Sequence, residues 1–243
     1  MSKMKTFQRL LLAIALLLVT SPPVLPQHEP ESKDQPAHKL VEFQMALLKR
    51  GPNWTAAESA ETRRLHQEHL KNVVSLLDSG KAVIAGPLTD NGEISGVFVF
   101  RAKSAAEAKP WAEADPLVLS GQYIVEMHPW WSEDIFRKPA TPLKLTQTYL
   151  AFLTRGENWT AEKTPATEEI QKGHMANINR LAAMKKLVAA GPFGDDGPLR
   201  GIFVFRVGSL DEAKALTAGD PAVQAGRLAM EIHPWMVPEG VLP

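Results

Sequence analysis

Histidine is the side chain whose proton moves near neutrality, and this chain places its histidines in two settings that each occur twice. His69 and His174 sit within amphipathic stretches, and Asp90 and Asp195 follow them at identical spacing, each just before a Gly-bearing turn. His128 and His233 stand two residues after Glu126 and Glu231 and immediately before a proline. An imidazole beside a carboxylate is fixed in one tautomer and can serve as general acid or base. Such a pair at a pocket mouth suits proton transfer on a small carbonyl compound. The structural alternatives are a helix histidine making one hydrogen bond and an Asp that forms a turn. In a strand, residues i and i+2 share a face, so Glu126 with His128, and Glu231 with His233, either line a ligand pocket or cap a strand end. Arg101 and Arg206 follow apolar runs and either bind an anionic ligand or lie in solvent. His66 forms H-x-x-H with His69, but Gln171 stands at the matching place in the second half, so no metal site is expected. The absence of cysteine excludes disulfides, thiolate nucleophiles and Cys-ligated metals.

The elements that must position these residues also occur twice. A shift of about 105 residues superposes the halves without a gap. Arg50-Gly51 with Asn53-Trp54-Thr55 returns as Arg155-Gly156 with Asn158-Trp159-Thr160, and Ala85-Gly86-Pro87 as Ala190-Gly191-Pro192. Phe98-Val99-Phe100-Arg101 returns as Phe203-Val204-Phe205-Arg206, Asp115-Pro116 as Asp220-Pro221, and His128-Pro129-Trp130 as His233-Pro234-Trp235. Within the first copy, residues 40–49 read as a strand and 59–78 as a helix with Leu65, Leu70, Val73, Leu76 and Leu77 at helical spacing. Short strands follow at 82–85 and 97–100. A second helix is capped by Ser104 with Glu107, and Ser209 with Glu212 repeats the cap. Asp115-Pro116 is expected to end that helix, and residues 123–128 form the last strand. Trp54 and Trp159 are expected to staple the long helices, and Trp130 and Trp235 to pack at strand ends.

The order β-α-β-β-α-β is the ferredoxin-like split unit, so the fold class is α+β. One such sheet carries both helices on one face and leaves the other bare. Two copies on one chain are therefore expected to cover each other as an intramolecular dimeric α/β barrel. The expected organisation is a signal peptide at 1–20, a disordered Pro-rich spacer at 21–37, repeat one at 38–131, a linker at 132–142, repeat two at 143–236 and a tail at 237–243.

The helix His, the A-G-P turn with its following Asp, the D-P after the second helix and the strand ending in P-W together resemble the YCII-related domain family. The resemblance covers both repeats. It implies a dimeric α/β-barrel fold and a proposed active site pairing the helix His with the Asp after the G-P turn: His69 with Asp90, and His174 with Asp195. The resemblance carries fold further than chemistry. The expected activity, read from the residues, is a small-molecule isomerase, lyase or hydrolase that works by His–Asp proton transfer without a cofactor. The rival expectations are a non-catalytic module holding a small acidic or aromatic ligand in the barrel pocket, and a structural pseudo-dimer that assembles further into homo-oligomers.

Composition narrows the partners. Formal net charge is zero over 243 residues, without the basic excess of a nucleic-acid binder. Lys3, Lys5 and Arg9 precede an apolar run from Leu10 to Val19. That run is too short to span a bilayer, which takes about 20 apolar residues, and fits the core of a secretory signal. The expectation is export, to the periplasm or the medium, with no stable membrane span once the signal is cut.

Overall fold

The structure is a computed structural model that describes residues 39–243. The expected signal and spacer fall outside the described residues. Each half of the described chain forms four antiparallel strands and three helices. The first comprises β1 (Leu40–Arg50), α1 (Ala60–Asp78), β2 (Ala82–Pro87), β3 (Ile94–Phe100), α2 (Ala105–Glu113), α3 (Pro116–Leu119) and β4 (Tyr123–Glu133). The second comprises β5 (Leu145–Arg155), α4 (Pro165–Ala183), β6 (Leu187–Pro192), β7 (Leu199–Phe205), α5 (Leu210–Ala218), α6 (Pro221–Gln224) and β8 (Leu228–Pro238). The sheet orders are β2-β3-β1-β4 and β6-β7-β5-β8, as the split unit requires. Among the described residues, no helix is long and apolar enough to cross a membrane.

Alternation along the central strands divides the core. Phe43, Met45 and Leu47 of β1 join Leu150 and Phe152 of β5 in one cluster that fills the space between the sheets. Ala46 and Leu48 face the opposite way, onto Leu76 and Leu77 of α1. Ala151 and Leu153 do the same beside Leu181 of α4. The bare faces of the two sheets therefore cover each other. The expected barrel pocket is a packed interior, because large side chains from both sheets meet there.

The sheets also join at their edges. The β2–β3 loop reaches β8, where the Thr89 N–H donates to the Pro234 carbonyl at 3.0 Å. At the other seam the Gly194 N–H donates to the Pro129 carbonyl at 2.7 Å. Trp130 and Trp235 are each 1 % exposed. Their indole N–H groups donate across the seams, Trp130 to the Gly191 carbonyl at 3.2 Å and Trp235 to the Gly86 carbonyl at 3.1 Å. They pack into the barrel closure itself. Gly86 and Gly191 have a steric reason: a Cβ on either would overlap a backbone carbonyl oxygen of the opposing strand, at Met236 and Trp131 respectively.

Several boundaries differ from expectation. β4 and β8 run past their prolines, to Glu133 and Pro238. Proline lacks only the N–H, and here its carbonyl serves the seam. Beyond β8, Val241 and Leu242 are buried in the inter-sheet core, so the end of the chain is more than a tail. The long helices start with reciprocal caps, Ser59 with Thr62 and Thr164 with Thr167. Glu107 and Glu212 reach back to the backbone N–H of Lys103 and Gly208, one residue before the capping serine.

Candidate functional site

The two helix histidines do not meet the aspartates that the family resemblance assigned to them. His69 Nδ1 lies 2.7 Å from Asp115 Oδ2, and His174 Nδ1 lies 2.9 Å from the Asp220 carboxylate. Asp90 Oδ2 instead meets His233 Nδ1 at 2.6 Å, and Asp195 Oδ2 meets His128 Nδ1 at 2.7 Å. The sheet explains the exchange. His69 and His174 pack on the helix-facing side, against the rings of Phe98 and Phe203. Asp90 and Asp195 sit in loops that cross the seams, where the inward-facing histidines of the other repeat await them.

Asp115-Pro116 and Asp220-Pro221 hold the true partners of the helix histidines. The residue before proline is held extended, which is also the N-cap conformation, and proline suits the first helical position. Each Asp therefore starts a short helix where the expected reading had a helix end. Asp115 accepts from the Leu117 N–H with Oδ1 at 3.0 Å and from Asn72 with Oδ2 at 2.9 Å. Asp220 accepts from the Ala222 N–H and from Asn177, each at 2.9 Å. Both Asp residues are fully buried. Burial alone would push their pKa values up. Hydrogen bonds and charge from His69 or His174, with the Asn and backbone N–H bonds, outweigh it and hold both carboxyls below their ordinary value. The sequence signal for this pairing was present in the repeated D-P and in Asn72 and Asn177, each three residues after its histidine.

The two helix sites differ in what surrounds them. Beside His174 lies a cavity of about 1010 Å³ between α4 and the β6–β7 edge of its sheet. Leu77, which packs against the first sheet, is replaced at the matching position by Ala182, which is exposed. Leu117 is replaced by Ala222, and the alanine pair Ala85 and Ala190 passes from buried to half-buried. Truncated side chains leave α4 standing over open space. His174 lines that space with its Nδ1 engaged by Asp220, and its Nε2 has no protein partner among the described residues.

The seam histidines are more enclosed. His128 is held through both ring nitrogens, by Asp195 and, at 2.8 Å, by Glu126. Lys49 pins Glu126 at 2.7 Å. Its ammonium, with the His128 bond, holds Glu126 below its ordinary pKa against the opposing effect of burial. Thr154 replaces Lys49 in the second half. Glu231 there is largely exposed and lies 3.5 Å from His233 Nε2, which is buried without a hydrogen-bond partner. The His128–Asp195 and His233–Asp90 pairs thus clasp the closure, and neither Glu–His pair lines the cavity. Arg101 forms a forked ion pair with Asp134 at 2.5 and 2.8 Å, and Arg206 is exposed outside the cavity lining. Trp54 and Trp159 lie under arginines: Arg50 is 3.9 Å from the Trp54 ring centroid.

Comparison with known proteins agrees with this architecture. The uncharacterized protein YjpA of Bacillus subtilis (strain 168) is 33 % identical over 88 residues, covering 36 % of this chain and 93 % of YjpA. Among solved structures, a mutant chlorite dismutase from Candidatus Nitrospira defluvii superposes with a TM-score of 0.54 at 11 % identity, covering 82 % of this chain and 90 % of that one. A heme-binding protein from Thermus thermophilus gives 0.53 at 14 % identity over 82 % and 92 % of the two chains. At such identities these two likenesses concern the fold alone. The YCII-related domain matches residues 43–130 and again 149–236. With both four-stranded units covered by that domain, the chain belongs to the YCII-related family as a tandem pair.

Proposed function

We propose that this chain is an exported small-molecule enzyme with one working centre, His174 and Asp220, which moves a proton on a ligand held in the α4–β6 cavity. One observation carries the reading: a fully buried carboxylate takes Nδ1 of His174 and leaves Nε2 uncommitted on a residue lining an accessible cavity. Asp220, with its lowered pKa, is charged at neutral pH and accepts the Nδ1–H. That fixes the tautomer with the Nε2 lone pair available as base. Nε2 takes the proton from a carbon beside a carbonyl. The C–H electron pair moves into the enolate, and the imidazolium facing Asp220 returns the proton at another face or position. His69 has the same kind of partner, but Leu77 and Leu117 occupy the space a ligand needs, so the first repeat serves as scaffold. Export rests on the basic start and the Leu10–Val19 run, and a periplasmic reporter fused after residue 40 tests it.

The experiment is solvent exchange. The protein is incubated in D₂O with a panel of small carbonyl compounds bearing an acidic C–H, and deuterium incorporation is followed by NMR. His174→Gln should lower exchange by about 10²-fold or more, the usual worth of a general base, while His69→Gln should leave it intact. Exchange that persists in His174→Gln would defeat the reading. The lone Nε2 also favours a second reading, a binding module without turnover in which His174 would hold a heme iron and Asp220 would orient its ring. One fold neighbour is named as heme-binding. In that case hemin should give a Soret shift that His174→Gln abolishes, with no exchange activity.

A further inference from the structure

We infer that the α4–β6 cavity takes an amphiphile with a single carboxylate, its apolar body under α4 and its head group among Arg155, Arg200 and Arg227. The inference rests on the proposed ligand cavity and adds the chemical class of what enters it. Three guanidinium groups gather around one indole at the cavity: Arg200, Arg227 and Arg155 lie 5.0, 5.4 and 5.7 Å from the Trp159 ring centroid. Each donates to a backbone carbonyl, of Asp195, Thr160 and Asp196 respectively. None of the three forms an ion pair with a carboxylate among the described residues. Arg200 acts on Asp195 only through space, and that carboxylate is already held by His128. Three like charges crowded beside an apolar cavity repel one another. A bound carboxylate relieves that repulsion through forked, charge-assisted hydrogen bonds.

The first repeat supplies an internal control. Its counterpart of Trp159 is Trp54, with Arg50 alone over the ring. Ser95 and Gln122 stand where the second repeat has Arg200 and Arg227. The two added arginines therefore occur in the same half as the replacements Leu77 to Ala182 and Leu117 to Ala222 that open the cavity. Charge and space have changed together. Across the whole lining, cationic side chains outnumber carboxylates by one, which matches one negative charge better than a dianion. The apolar part is received by Ile178, Val188, Leu187 and Met175.

Calorimetric titration of the full mature chain with octanoate, octan-1-ol and inorganic phosphate tests this. Octanoate should bind one per chain and more tightly than either of the others. Arg227→Gln, and Arg200→Ser with Arg227→Gln, install residues that the first repeat already accommodates. They should weaken octanoate by about tenfold or more, the size expected for losing a charge-assisted bond, and leave octanol unchanged. Ala182→Leu should weaken both octanoate and octanol. Equal binding of octanoate and octanol, equal binding of phosphate, indifference to the arginine variants, or no binding at all would each overturn the inference. Octanoate binding without His174-dependent exchange would sink the proposed reaction while leaving the ligand class standing, and the converse result would do the opposite.

Discussion

A single carboxylate at Asp220 answers three donors: an imidazole, a side-chain amide and a backbone N–H. Its lowered pKa makes a statement about stability. A carboxyl whose folded-state pKa lies below its unfolded value of about 3.9 contributes fully above that pH. The contribution is lost as pH falls through the lower folded value. Asp220→Asn should therefore cost about 1–3 kcal/mol at pH 7 and flatten the fall in stability between pH 5 and pH 2, as urea unfolding at a series of pH values would show. The histidines were legible as chemistry-bearing residues, because they recur with the same neighbours. Their partners were misassigned, since sequence spacing cannot tell which side of a sheet a loop will reach. Asp115 and Asp220 were visible as repeated D-P pairs, but a pre-proline Asp ends one helix as readily as it starts the next. The Arg155, Arg200 and Arg227 cluster is not legible in the sequence, because it converges from β5, β7 and the loop before β8.

At the level of elements, periodicity located every long strand and helix, and the errors lie at the ends. The strands ending in His-Pro-Trp looked finished at the proline. They continue because the carbonyl of the proline and the indole beside it have partners on the other repeat. Gly86 and Gly191 looked like turn residues, yet each lies within a strand and lets two strands approach more closely than any side chain would allow. Gly86→Ala should force Met236 away, break the Trp235 hydrogen bond and cost about 1–3 kcal/mol or more by overpacking. Gly208→Ala, where an added Cβ makes only ordinary contact, should stay within about 0.5 kcal/mol. Thermal unfolding of the two variants gives the comparison.

For the whole molecule, the intramolecular pairing follows from the bare face of each sheet and was legible from the repeat alone. Phe43, Met45 and Leu47 would meet water without the second repeat. A chain ending after Glu133 should therefore dimerise or aggregate, as sedimentation would report; a well-folded monomer would contradict the role given to the inter-sheet core. What the sequence did not disclose is the divergence in packing. Both halves keep the His–Asp arrangement on α1 and α4, but alanines replace Leu77 and Leu117 in the second half, where the cavity lies beside His174. Duplication thus leaves one copy free to preserve the barrel while the other departs from close packing.

The seams bear on how the molecule comes into being. Asp90 waits for His233, 143 positions later, and Gly86 for Trp235, 149 positions later. Contacts so distant in sequence slow the search for the native state. They also mean that the first repeat leaves the ribosome with its edge strand unclosed and its inner face uncovered until nearly the last strand has been made. The burial of Val241 and Leu242 in the inter-sheet core adds residues beyond β8 to that late step. The seam between the first repeat and β8 therefore closes only after β8 has been made.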